Sequence, residues 1–364
     1  MRKPVEERCS HPGNRGMVGA VPHPITRPEV VVPVRLDATG RSGPTPGQAR
    51  GPGWRRVGSG AYVPAHVDAE ALDQRIVEAV LGTPGSTAAT GWAALAWQHA
   101  RWFSGLTADG AALPVPIALG DRRVVRPRPG LVVSEDWLFD DDLIRVDGLP
   151  LTVPERSVAY EARRARTLAA AVRAIDMAAY DDLVDVASMR RYAQRLAGRP
   201  GTRRLREAID GADENAWSPQ ESVMRVAWRQ AMPRVVLRCN PPVFDHGGGH
   251  LLTPDLLDVE HGIAGEYEGA VHLPYGPRRR DLDRDALYRD LGLELVVMMS
   301  AEHDDLEHFL ARLRGAYRRA AERGPAPRPW TLAAPDWWVD TSSVAARRSL
   351  SVGERDVWLR YRAA

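Results

Sequence analysis

Apolar residues are scarce over residues 1–24, where Arg, Pro and Gly dominate, and this stretch is expected to be a disordered basic arm. Periodicity begins after it. Val30-Val-Val-Pro-Val-Arg-Leu36 is strand-like, and Gly53-Trp-Arg-Arg-Val-Gly-Ser-Gly-Ala-Tyr-Val-Pro64 predicts two short strands, 54–57 and 61–63, about a Gly-Ser-Gly turn. Ile76, Val77, Ala79 and Val80 mark a helix, and a second is expected over 93–102. Strands follow at 115–119, 131–133 and 143–146. Pro154 then sits in the first turn of a helix, with Thr152 as its expected N-cap, and amphipathic helices are predicted over 167–179 and 186–196. Asp176, Asp181, Asp182 and Asp185 read as a solvated face.

The last third has the clearest pattern. Ser218-Pro-Gln-Glu221 reads as a capping box that opens a helix carrying Val223, Met224, Ala227 and Ala231. A strand over 234–244, a glycine-rich turn between His246 and His250, and an acidic hairpin follow. A helix over 280–291 is stopped by Gly292, a strand begins at Leu293, and Leu306, Phe309, Leu310 and Leu313 mark a final helix. The predicted order is helix, three strands, helix, strand, helix. The Pro- and Trp-rich tail, 324–364, is expected to dock on the body. The expected units are the arm (1–24), a compact unit (25–105), a mixed middle scaffold (106–215), the acidic unit (216–323) and the tail. The class is α/β, α+β overall.

The hairpin carries the candidate chemistry. A tight turn centred on Glu260-His261 places Asp255 opposite Glu266, with Glu268 on the same face and Asp258 and Glu260 on the other. Carboxylates converging on one sheet face repel one another unless a cation sits among them, and hard oxygen donors suit a divalent ion. His246 and His250 are read as parts of a surface turn.

Composition changes this picture little. The chain has 364 residues, 44% hydrophobic, with a net charge of +2. That suits ordinary cores and argues against a protein that coats DNA generally. No membrane span or signal-peptide run is visible, and the two cysteines, Cys9 and Cys239, give neither a Cys-based zinc site nor an expected disulfide; a cytoplasmic location is expected. Lys3 is the only lysine, so no amine is available to the acidic unit.

The motifs Ser218-Pro-Gln-Glu221, Pro254-Asp255, Glu266-Tyr-Glu-Gly-Ala-Val-His272 and Arg280-Asp281 with Arg284, in this order, resemble the PD-(D/E)XK nuclease superfamily, in its branch related to very-short-patch repair endonucleases. The compact unit at 25–105 resembles the winged-helix domain of AbiE-type antitoxins. The resemblance implies a C-terminal αβββαβα restriction-endonuclease-like domain and a metal-dependent DNA endonuclease. Asp255, Glu266 and the Tyr267 carbonyl would hold Mg²⁺ or Mn²⁺. Glu221, Glu268 and His272 would join the catalytic group, His272 as general acid or base. Trp54, Arg55 and Arg56 on the wing, and Arg280 and Arg284, would contact DNA. A homodimer and a toxin partner are compatible with it; a membrane is not expected. Glu268 stands at the superfamily's lysine position, so a non-enzymatic antitoxin-type DNA-binding transcriptional regulator with a degenerate nuclease fold is the alternative.

Overall fold

A computed structural model describes residues 24–120, 125, 128–269, 277–302, 305–324 and 327–363, without the side chains of 277–283 and 363. Residues 1–23 of the expected arm, 1–24, lie outside these residues. The chain is α+β. Among the described residues, no helix is long and apolar enough to cross a membrane.

The amino-terminal part begins with a small antiparallel sheet of β1 (Val34–Arg35), β2 (Trp54–Gly58) and β3 (Ala61–Pro64), in the order β1-β3-β2. The β2–β3 hairpin falls where the Gly-Ser-Gly turn predicted it. Gly58 is required by close packing, since a Cβ there would lie 1.9 Å from the Gly82 carbonyl oxygen. Helix α1 (Leu72–Leu81) precedes β4 (Thr87–Ala89) and α2 (Gly91–Trp97). The second helix is shorter than expected. Its end passes into a turn in which His99 adopts a left-handed conformation, φ 64°.

A five-stranded sheet follows: β5 (Val115–Leu119), β6 (Leu131–Ser134), β7 (Leu143–Val146) and β8 (Leu149–Thr152) join β4 in the order β6-β5-β4-β8-β7. Strand β4 is therefore central, antiparallel to β5 and parallel to β8. Residue 105, expected as a domain boundary, is bridged by this sheet and by one core in which Ile76, Trp92 and Trp97 pack with Ile117, Leu149 and Leu151. Thr152 is not an N-cap. It ends β8, and its hydroxyl donates to Thr90 Oγ1 (2.9 Å), while Val153 precedes the helix without a side-chain cap.

Helices α3 (Pro154–Arg164), α4 (Leu168–Tyr180), α5 (Val186–Arg195) and α6 (Thr202–Gly211) build a helical layer with its own core, including Val158, Ile175, Met189 and Leu205. The four aspartates read as a solvated face do other work. Asp176 is fully buried, Asp181 accepts from the Arg101 amide (2.8 Å), Asp185 caps α5, and Asp182 meets Arg347, Arg355 and Arg362 from the tail.

The acidic unit comprises α7 (Pro219–Ala231), β9 (Leu237–Cys239), β10 (Val243–Phe244), β11 (His250–Leu252), β12 (Leu256–Asp258), β13 (Ile263–Glu268), α8 (Pro277–Asp290), β14 (Glu294–Met299) and α9 (Glu307–Arg323). Four strands form one sheet, β14-β13-β12-β9, antiparallel except for the parallel β13–β14 pair. Leu256 and Ile263 pack on α7 and α9 through Met224, Trp228, Phe309 and Leu313. Leu257 and Ala264 pack with Tyr288 of α8, with Leu291 just after that helix, and with Trp330 from the tail. The strand expected over 234–244 is broken at Asn240, whose φ of 45° turns the chain, and β10 leaves to pair with β11. The tail docks as anticipated. Trp330 Nε1 donates to the Leu291 carbonyl (3.0 Å), and α10 (Val344–Ser349) buries Val344 and Arg347, ahead of α11 (Val352–Trp358).

One buried ion pair joins the helical layer to the acidic unit. Arg225 of α7 lies 2.5 Å from Asp176 of α4, with both side chains 0% exposed. Ser222 Oγ and the Asp213 amide also donate to Asp176. Removing one partner leaves an uncompensated buried charge, so Asp176→Ala is expected to cost about 3–5 kcal/mol. Arg225→Met added to it should restore much of that loss. Urea unfolding of the single and double variants measures both, and a double variant no more stable than the single one would contradict the assignment.

Candidate functional site at the acidic hairpin

Strands β12 and β13 pair as Leu256↔Gly265, Leu257↔Ala264 and Asp258↔Ile263. This is the register of a hairpin centred on Glu260-His261, and one further step sets Asp255 against Glu266. The Tyr267 amide donates to Asp255 Oδ2 (2.7 Å), tying the two strand ends together. Asp258 lies on the other face, fully buried, where it accepts from Tyr317 Oη (2.7 Å) and the His261 amide (3.1 Å). Its role is structural. Gly265 admits α7 to the sheet, because a Cβ there would lie 2.5 Å from Trp228 Cζ3.

That close approach brings Glu221, at the start of α7, to the same end of the sheet. Ser218 caps the helix by accepting from the Glu221 amide (3.2 Å), but the expected reciprocal capping bond is absent. Glu221 Oε2 accepts instead from the Trp217 amide (2.8 Å) and from Asn240 Nδ2 (2.7 Å). Only 5% of Glu221 is exposed, and burial pushes its carboxyl up to about 6. Asp255 is pushed further, to about 8, first by burial and then by the charges of Glu221 and Glu266. Three acids from one helix and two strands thus share an electrostatic neighbourhood.

Glu266 is buried and held from α8. Tyr288 Oη donates to its Oε1, and Arg284 pairs with its Oε2. Tyr288 itself is driven up by burial and by that carboxylate. Glu268 lies exposed at the end of β13, and the Tyr267 side chain packs toward the core on the α7–α9 side. His272 lies outside the described residues. Arg280 lies within α8, with its side chain also outside them. Among the described residues no group of three His, Cys, Asp or Glu side chains is arranged to hold a metal ion. The donor set is nonetheless of the right kind for a hard divalent cation, and Arg284 is what such an ion would displace from Glu266.

Of the expected wing contacts, Arg55 is engaged within the chain, both guanidinium nitrogens meeting Glu78 at 2.7 Å. Arg56 is exposed, its Nε donating to the Gly58 carbonyl (3.0 Å), and Trp54 is half-buried beside them. His246 and His250 do not join the acids. His250 stacks on Trp338 at 5.4 Å, and His246 meets the Arg328 carbonyl at 3.0 Å.

Two site residues escaped the sequence reading, Asn240 and Tyr288. Tyr288 stands four residues after Arg284, on the same helix face, which was a usable signal. Asn240 precedes two prolines, a sign of strand termination but not of contact with Glu221. Compared with family models, curated proteins and solved structures, the chain matches none of them.

The raised acids make a pH prediction. Both folded-state values lie above the ordinary carboxyl values of 3.8 and 4.5, so the stability these groups contribute is fully present at low pH and lost as pH rises through about 6 and about 8. Asp255→Asn removes the larger part. Its stability relative to wild type should therefore rise from pH 5 to pH 8 by more than about 1 kcal/mol. Thermal unfolding of the two proteins across that range checks this, and a flat difference would refute the raised carboxyl of Asp255.

Proposed function

We propose that the acidic unit is a metal-dependent, endonuclease-like phosphodiester hydrolase acting on DNA in the cytoplasm. The observation that carries this reading is the convergence of Glu221, Asp255 and Glu266 at one end of a helix-flanked sheet, where burial first, and then the charges of Glu221 and Glu266, raise Asp255 to about 8. Such an arrangement is unfavourable for folding alone, and perturbed acids gather where chemistry is done. The order of elements from α7 to α9, helix–three sheet strands–helix–strand–helix with the β10–β11 hairpin inserted, also supports the PD-(D/E)XK resemblance.

Asp255 and Glu266, with the Tyr267 carbonyl, are the residues that would hold Mg²⁺ or Mn²⁺. The bound ion would supply an activated water and neutralise charge building on the scissile phosphate. Tyr288 fixes the Glu266 carboxylate, and Asn240 fixes that of Glu221. Arg284, half exposed and paired with Glu266, would leave it for a phosphate oxygen and supply the positive charge that no lysine provides. Glu268 and His272 would flank the substrate. Trp54 and Arg56 would steady the duplex from the amino-terminal sheet, with Arg55 orienting the hairpin through Glu78.

One observation favours the second reading, a DNA-binding regulator of antitoxin type without enzymatic activity. Both Glu266 oxygens are already occupied, by Tyr288 and Arg284. The readings separate experimentally. A nuclease should cut DNA only with Mg²⁺ or Mn²⁺, lose all measurable cutting in Asp255→Ala and Glu266→Ala, and bind Mn²⁺ roughly tenfold more weakly in Tyr288→Phe. Cutting that survives in both alanine variants would sink the site. DNA binding without metal, and no heat on Mn²⁺ titration, would favour the regulator.

A further inference from the structure

Glu266 is held by two partners of different kinds. Tyr288, buried and one helical turn beyond Arg284 on α8, gives its hydroxyl to Oε1. Arg284 pairs with Oε2. The members of that ion pair are unequally exposed: the side chain of Glu266 is 8% exposed and that of Arg284 53%. The acid is thus fixed in the body, and the guanidinium reaches it from solvent. A guanidinium carries more N–H donors than one carboxylate oxygen can accept from, so donors remain for an anion.

The two partners oppose a cation differently. Tyr288 is neutral, so it orients the carboxylate and leaves its charge in place. Arg284 cancels that charge and occupies Oε2, so a divalent ion at Glu266 must displace it. An arginine displaced into water regains only hydration. One displaced onto a phosphate regains a charge-assisted partner, bidentate where the geometry allows. Ion and phosphate therefore each lower the cost of binding the other.

We propose that Arg284 is a latch that exchanges between Glu266 and a DNA phosphate, so that a divalent cation and DNA bind this site cooperatively. The identities of the ion and of DNA rest on the proposed function; the exchange rests on the Glu266–Arg284 pair. Such coupling is reciprocal, and the factor by which DNA tightens the ion is the factor by which the ion tightens DNA. Without DNA the acids carry a cation of their own, and the latch keeps free metal out.

The test uses the full chain in two separate arms. In the first, Mn²⁺ alone is titrated by calorimetry. Arg284→Gln should bind it roughly tenfold more tightly than wild type. Arg289→Gln, which removes a charge from an exposed position on the same helix, should stay within about twofold. In the second arm a short DNA duplex is titrated in chelator. Glu266→Gln frees the arginine and should tighten the duplex roughly fivefold. The same change in an Arg284→Gln background should have no effect, which separates the latch from the mere loss of a negative charge. Should Arg284→Gln fail to fold, Glu268→Gln, at an exposed acid on the same strand, gives the comparison: equal tightening by both glutamine variants would overturn the latch. Mn²⁺ affinity unchanged or weakened in Arg284→Gln, no Mn²⁺ binding by either protein, or tightening that persists without Arg284 would overturn it too. Both arms as expected, with no cutting in Mg²⁺, would sink the nuclease reading and leave the latch standing. Cutting that depends on Asp255 and Glu266, with both arms flat, would do the reverse.

Discussion

Arg225 holds this molecule together at its centre. It leaves α7 to meet Asp176 on α4, donates to the Gly211 carbonyl at the end of α6 (3.1 Å), and reaches Cys239 Sγ on β9 (3.2 Å). One cation thus fixes the helical layer, the first helix of the acidic unit and the edge strand of its sheet. A buried guanidinium is expensive to desolvate, and its geometry is correspondingly strict. The position of Glu221, one helical turn before Arg225 on α7, follows from it.

From that anchor the site assembles by ordinary packing. Gly265 lets Trp228 lie against the sheet, Asn240 turns the chain out of β9, and the short β12–β13 connection sets Asp255 beside Glu266. Each step is favourable on its own; their sum is a group of carboxylates that is not. The repulsion is local, and the surrounding cores of Trp228, Phe309 and Leu313 on one face and Tyr288 and Leu291 on the other hold it in place.

The acidic hairpin was readable from sequence because strand alternation and a tight turn leave one register, and a single-residue slip would have carried every side chain of one strand to the opposite face. Asp176 was not readable. It stands in a run of aspartates with Asp181, Asp182 and Asp185, which by charge alone reads as solvated, and only Arg225, 49 residues away, makes its burial tolerable. The small β4 strand was missed because Thr87–Ala89 is too short to show a period, and its identity as a strand comes from partners on both sides. Asn240 was invisible as a site residue for the same reason: its importance lies in two long-range bonds, to Asn215 and Glu221.

The central place of β4 also bears on how the chain is made. Its partners, β5 and β8, follow it in sequence, with β8 ending at Thr152. During synthesis at ordinary rates, on the order of seconds separate the emergence of β4 from that of β8. Through that interval α1 and α2, with Ile76, Trp92 and Trp97, have no completed sheet to cover them. Ile76, Trp92 and Trp97 therefore gain the last of their cover, from Leu149 and Leu151, only when β8 arrives.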